Sequence, residues 1–195
     1  MTFRAGWLNP TQIIGMNAYL FAAVSCAIAW ARYRGSLRLR RLAGVIAVLE
    51  AGLFLDMALS VRWQLHNLLE SEAIRENLYA QRFGPQLAAL IILGVAAAAG
   101  IGLTWLRFRG RAGAIIAGWG AILSLSCWSA EVISLHAMDA VYHYTVGGVM
   151  LVSVCWVACS LMTSLGILWD SWAVHADNRE GVDRAGKPPF YLTNS

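Results

Sequence analysis

The sequence predicts an all-α integral membrane protein with five transmembrane helices, on the strength of its composition, its apolar blocks and its arginine distribution. Apolar residues make up 58% of the 195-residue chain and charged residues only 13%, and the mean hydropathy is +0.57. A soluble domain of this length needs more charge to cover its surface. No charge interrupts Ala5 to Ala31, Phe83 to Leu106, Ala112 to Ala130, or Tyr144 to Trp169, and only Glu50 and Asp56 interrupt Leu42 to Val61. Each block approaches or exceeds the roughly 20 residues a helix needs to cross the hydrocarbon core. Lipid offers no hydrogen bonds to a backbone, so such spans are helical.

The spans are expected at 11–31, 42–65, 86–106, 112–137 and 145–169, in one membrane domain of residues 1–172 followed by a polar cytoplasmic tail, 173–195. One arginine precedes the first span and five follow it, the reverse of a cleaved signal peptide. Arg32, Arg34, Arg38, Arg40 and Arg41 crowd the first loop, and Arg107, Arg109 and Arg111 the third. Basic loops stay cytoplasmic, which puts the N-terminus outside and the C-terminus inside. The net charge of +4 and the pI near 9.1 are thereby explained as topology determinants, and a nucleic-acid partner is not expected. The expected setting is a bacterial inner membrane, with the lipid bilayer and other membrane subunits as partners.

An internal repeat is the most specific feature. Pro10 lies twenty residues before Trp30-Ala31-Arg32-Tyr33-Arg34-Gly35, and Pro85 lies twenty before Trp105-Leu106-Arg107-Phe108-Arg109-Gly110, at a constant offset of 75. Leu65-His66 and Leu135-His136 continue the correspondence at an offset of 70. Both hairpins run in the same direction, so they are parallel repeats. The expectation is a tandem-duplicated helical hairpin, helices 1–2 and 3–4, forming a four-helix bundle with the fifth helix packed outside it. Between the hairpins, Asn67-Leu68-Leu69-Glu70 reads as a capping box that opens a short outer helix, 67–83, ending at Gly84-Pro85. Leu68, Leu69, Leu78 and Tyr79 suit it to the membrane surface or a partner.

Small-residue stripes at Gly94, Ala98 and Gly102 and at Ser153, Ser160 and Ser164 read as helix-contact surfaces. Cys26, Cys127, Cys155 and Cys159 all lie within spans and read as small apolar residues, without zinc-ligand spacing. Tryptophans near helix ends, such as Trp30, Trp105, Trp169 and Trp172, read as interfacial anchors. The chain carries no glycine-rich phosphate loop, zinc-binding His-Glu-x-x-His helix or nucleophile elbow.

Ionisable groups inside a membrane are costly and each asks for a reason. Glu50, Asp56, Arg62 and Glu131 are the buried ionisable candidates, with Glu131 expected to be protonated or paired. Arg62 also reads as an anchor whose head reaches the membrane surface. His136, Asp139 and His143 follow an i, i+3, i+7 spacing and form one stripe if the fourth helix persists, with His66 at the corresponding end of the second. An ordinary interfacial role is the plain alternative for that stripe.

Three function classes fit. A redox- or metal-linked subunit would hold haem b between His66 and His136, or a transition-metal ion at His136, Asp139 and His143. A non-catalytic subunit would dock within a larger complex. A proton-coupled small-molecule carrier would use Glu50, Asp56 and Glu131. In topology alone, five spans with an outer N-terminus resemble the haem-bearing quinol subunits of some respiratory enzymes. The full histidine set for two haems is missing, so the resemblance transfers no residues.

Overall fold

The computed structural model describes residues 10–33, 35–76, 82–133, 144–146 and 148–185. In chain order the elements are α1 (Pro10–Arg32), α2 (Leu37–Leu59), α3 (Val61–Arg75), α4 (Phe83–Arg107), α5 (Ala112–Ile133), β1 (Thr145–Val146), β2 (Val149–Met150) and α6 (Val152–Ala185). Five of the helices, all but α3, are long and apolar enough to cross a membrane. The chain is a multi-pass, all-α membrane protein.

Local chemistry sets the ends of these helices. Pro10 opens α1 and Pro85 lies in the first turn of α4, where a missing N–H costs nothing. Ser36 caps α2, its hydroxyl accepting from the Leu39 N–H. Between α4 and α5 the chain turns at Gly110, whose φ of +87° suits a residue without Cβ.

The second apolar block does not continue to residue 65 as one rod. Ser60 adopts the left-handed conformation, φ 55° and ψ 36°, and closes α2 by donating its N–H to the Asp56 carbonyl. The same Asp56 accepts the Arg62 N–H on Oδ1 at 2.8 Å, so one carboxylate caps the start of α3. The helix at this end therefore begins at Val61, and Asn67 lies inside it rather than at a cap. The residues expected to begin the fifth span instead form an antiparallel hairpin, Thr145 facing Met150. It is tied to α1 where the Met150 N–H donates to Thr11 Oγ1 at 3.1 Å. The helix itself runs from Val152 to Ala185, into the stretch expected as tail.

The bundle has a different membership from the one expected. Its core joins α1, α2, α5 and α6, with α6 wedged between α1 and α5 rather than packed outside. α4 is the peripheral helix, resting on α5 with no buried residue. Glycines explain the intimacy of α5 with α6: a Cβ on Gly120 would meet the Thr163 nitrogen at 2.6 Å, and one on Gly166 the Ala117 nitrogen at 2.6 Å. On α4, by contrast, Gly94 and Gly102 meet nothing within 4 Å, so that stripe faces outward. Val45, Val48, Ile92, Val95, Leu103 and Leu165 are among the exposed apolar side chains that give the bundle its lipid-facing surface.

Buried positions recur every seventh residue along all four core helices: Tyr19 and Cys26 on α1, with Tyr33 just past its end; Ala43, Glu50 and Met57 on α2; Ala117 and Ser124 on α5; Trp156, Thr163 and Asp170 on α6. Glu131 continues the α5 series. A seven-residue repeat is the signature of left-handed supercoiled packing. It divides the interior into three layers about 10 Å apart at 1.5 Å rise per residue. Tyr19, Met57, Glu131 and Trp156 lie at the α3 end. Cys26, Glu50, Ser124 and Thr163 lie in the middle, and Tyr33, Ala43, Ala117 and Asp170 at the arginine-rich end. Each layer's seven-residue series contributes one carboxyl group, and Asp56 stands beside the first.

Candidate functional site

The α3-end layer is organised by Arg62. The turn at Ser60 brings α3 back over the bundle, and Arg62 points inward, only 6% exposed, instead of reaching for the membrane surface. Its Nη1 donates to Glu131 Oε2 at 2.6 Å, its Nη2 to Met57 Sδ at 2.8 Å, and its Nε lies 3.9 Å from Asp56 Oδ2. The guanidinium also stands 4.8 Å from the centre of the Trp156 ring, in cation–π geometry. Glu131 is held on its other oxygen by Trp156 Nε1 at 2.7 Å, with Cys127 Sγ at 3.7 Å. Two carboxyl groups from α2 and α5 thus converge on one guanidinium from α3, leaving one carboxyl without a countercharge.

Glu50 occupies the middle layer with no exposed surface. The Thr163 hydroxyl, which donates to the Cys159 carbonyl at 3.0 Å, lies 3.4 Å from Glu50 Oε1. Ser124 stands beside the carboxyl without reaching hydrogen-bond geometry. In the third layer Tyr33 donates to Asp170 Oδ2 at 2.9 Å.

Among the described residues, seven buried side-chain atoms lack a hydrogen-bond partner: Tyr19 Oη, Glu50 Oε2, Asp56 Oδ2, Arg62 Nε, Ser124 Oγ, Trp128 Nε1 and Ser160 Oγ. Native interiors leave few such atoms, and each costs about 1–3 kcal/mol. All seven lie at or between the α3-end and middle layers, with none beside Tyr33 and Asp170. Among the described residues, the interior from Arg62 down to Glu50 is therefore polar and incompletely satisfied, while the third layer holds no such unpartnered atom.

Of the residues singled out from the sequence, Asp56, Arg62 and Glu131 come together and Glu50 lies one layer below them. His66 lies within α3. His136, Asp139 and His143 lie outside the described residues, as does the shared His66–His136 arrangement. Among the described residues, no group of three His, Cys, Asp or Glu side chains is placed to hold a metal ion. Sequence reasoning missed Tyr19, Trp156 and Thr163, which the seven-residue spacing to Cys26, Tyr33 and Asp170 would have flagged.

Comparison of the chain with protein-family models, curated proteins and solved structures found no match.

Proposed function

We propose that this membrane protein passes protons across the bilayer by way of Glu50 in the middle of the bundle, exchanging them with its outer face through the cluster above it, as the proton-moving part of the proton-coupled small-molecule carrier among the readings above. One observation carries the reading: a wholly buried carboxyl with an unpartnered oxygen lies below an arginine–carboxyl cluster, joined to it by further unpartnered polar atoms. Buried ionisable groups facing a bundle interior are characteristic of proton relays and ion pathways in membranes. A cluster serving helix association alone gains nothing from orphaned donors and acceptors.

The arginine asymmetry supports placing the α3 end outside and Arg38 and Arg109 in the cytoplasm. The duplication is part of the same proposal. α1 and α4 end at Arg32 and Arg107, and α2 and α5 begin at Leu37 and Ala112, each pair at the offset of 75. Trp30 packs on Gly44, and Trp105 stacks on Trp119 with ring centres 6.1 Å apart, again at the same offset. A second reading, a subunit of a larger complex, draws support from α4, whose Gly94 and Gly102 stand open.

The test is proton flux into vesicles carrying the purified full-length chain, read by an enclosed pH-sensitive dye under an imposed potential. Wild-type protein is expected to carry protons and Glu50→Gln to stop them; equal flux in both would sink the proposal. Visible absorbance and metal analysis of the same preparation bear on the competing redox proposal, in which His66 and His136 hold a haem, or His136, Asp139 and His143 an ion. A colourless, metal-free preparation that still carries protons excludes it.

A further inference from the structure

The α3-end and middle layers are about 10 Å apart along the bundle, too far for a proton to pass directly from Glu131 to Glu50, since transfer needs heavy atoms within about 3 Å or one bridging water. The Tyr19 hydroxyl is, among the described residues, an unpartnered polar group within electrostatic range of both. Tyr19 lies on α1 in the layer of Glu131 and seven residues before Cys26, the α1 member of the Glu50 layer. Leu53, Met57, Val152 and Trp156 enclose its ring. Its hydroxyl is buried and, among the described residues, without a partner. The charged and titratable groups in electrostatic range of that hydroxyl come from three elements: Cys127 and Glu131 on α5, Arg62 on α3 and Glu50 on α2. A phenylalanine would fill the same space and leave no orphaned hydroxyl, whereas a buried tyrosine ordinarily finds a partner. A buried, unpartnered hydroxyl within electrostatic range of two carboxyl groups calls for a use.

We infer that Tyr19 is the relay residue through which protons pass between Glu131 and Glu50. The inference rests on the proton-exchange reading above. In the inward step, the protonated Glu131 carboxyl gives its proton to a lone pair on the phenol oxygen through a bridging water. The phenol's own proton leaves at the same time towards Glu50 Oε2. Glu131 is left as a carboxylate against Arg62, Glu50 becomes neutral, and Tyr19 ends with the single proton it began with. Rotation of the O–H about the ring bond resets it. No electron moves and no phenolate accumulates. The outward step is the reverse.

The experiment compares wild type, Glu50→Gln, Tyr19→Phe and a chain carrying 3,5-difluorotyrosine at position 19, all full length and reconstituted in vesicles with the enclosed dye. Tyr19→Phe removes only the hydroxyl and is expected to lower proton flux by at least about a hundredfold, the scale of losing a positioned proton-transfer group. Difluorotyrosine keeps the ring and the hydroxyl but makes the O–H more acidic, and is expected to change the flux severalfold. Should Tyr19→Phe fail to fold, this second chain decides alone, and flux equal to that of tyrosine overturns the relay. Wild-type flux in Tyr19→Phe with none in Glu50→Gln overturns the relay and leaves the proton-exchange reading standing. Undiminished flux in Glu50→Gln overturns that reading and the relay with it.

Discussion

Asp56 and Glu131 face one guanidinium, that of Arg62, and stand seventy-five residues apart, the offset that also relates Trp30 to Trp105. The expected symmetric pair was His66 with His136, at an offset of 70. The offset of 75 carries through to the two acids, one on α2 and one on α5. Arg62 has no such counterpart, because the corresponding position is Ala137. The α2–α3 segment supplies an acid and the base, and α5 supplies only an acid.

The first prediction follows from that imbalance. Arg62→Ala strands Asp56 and Glu131 without their cation and is expected to cost about 3–5 kcal/mol, the usual penalty for breaking a buried ion pair. Replacing the whole cluster by neutral groups, Arg62→Met with Asp56→Asn and Glu131→Gln, is expected to regain most of that loss, because no uncompensated charge is left. Denaturant unfolding in detergent micelles measures both. A triple variant no more stable than Arg62→Ala would show that lost packing, not charge, dominates.

Ser60 provides the second. A left-handed backbone costs an L-residue with a Cβ about 1–2 kcal/mol, and a β-branched side chain is an outlier there. Ser60→Val is expected to lower thermal stability and to disturb Arg62, since the turn aims α3 at the bundle. Ser60→Gly relieves the strain but loses the Gln12 Nε2 donation to Ser60 Oγ at 3.3 Å, and should fall within about 1 kcal/mol of wild type. Greater stability for Ser60→Val than for Ser60→Gly would contradict the role assigned to this turn.

How much of this was legible in the sequence depends on the scale of the question. Hydropathy located the five spans because a membrane helix must be apolar along its length. It could not say which helix lies inside, because core and lipid are both apolar. Helix α4 is the most uniformly hydrophobic span, and it is peripheral, with no buried residue. Arg62 was misread as a surface-seeking anchor because a rod continuing to residue 65 carries it towards the interface. Only the turn at Ser60, with Asp56 capping the next helix, returns it to the interior. Two signals for the polar interior were present all along. One is the spacing of seven through Tyr19, Cys26 and Tyr33 and through Trp156, Thr163 and Asp170; the other is the offset that pairs Asp56 with Glu131.

Glycine position gives the third prediction. Gly120→Ala and Gly166→Ala place a methyl group against backbone atoms of the neighbouring helix and are expected to cost about 1–3 kcal/mol each by overpacking. Gly102→Ala on α4 meets nothing and should be neutral or stabilising by up to about 1 kcal/mol, through helix propensity and chain entropy. Thermal unfolding of the three single variants separates them. Equal losses at all three would mean that α4 is gripped by something its open face does not reveal.

Orientation gives the fourth. Single cysteines replacing Arg38 or Arg109, in a chain whose four native cysteines are changed to serine, are expected to react with an impermeant thiol reagent only from the cytoplasmic side. Cysteines at Glu72 or His143 should react from the outside. Labelling of position 72 only after the cytoplasmic side is opened would invert the topology, and with it the direction assigned to proton entry.

The fifth prediction sets stability against activity at Glu50. A carboxyl with no exposed surface, one distant hydroxyl neighbour and one unpartnered oxygen is a poor structural element. Burying a polar group without compensation costs free energy, and replacing it by an apolar residue of similar volume commonly recovers stability. Glu50→Leu is therefore expected to be more stable than wild type by on the order of 1–3 kcal/mol and to unfold at a higher temperature, while proton flux disappears. Glu50→Gln, which keeps a polar head, should lose flux with little change in stability. If Glu50 were instead a staple holding α2 to α6 through Thr163, Glu50→Leu would lower the unfolding temperature. Loss of flux would then follow from loss of the fold, so the direction of that one shift decides between a group retained for proton chemistry and one retained for architecture.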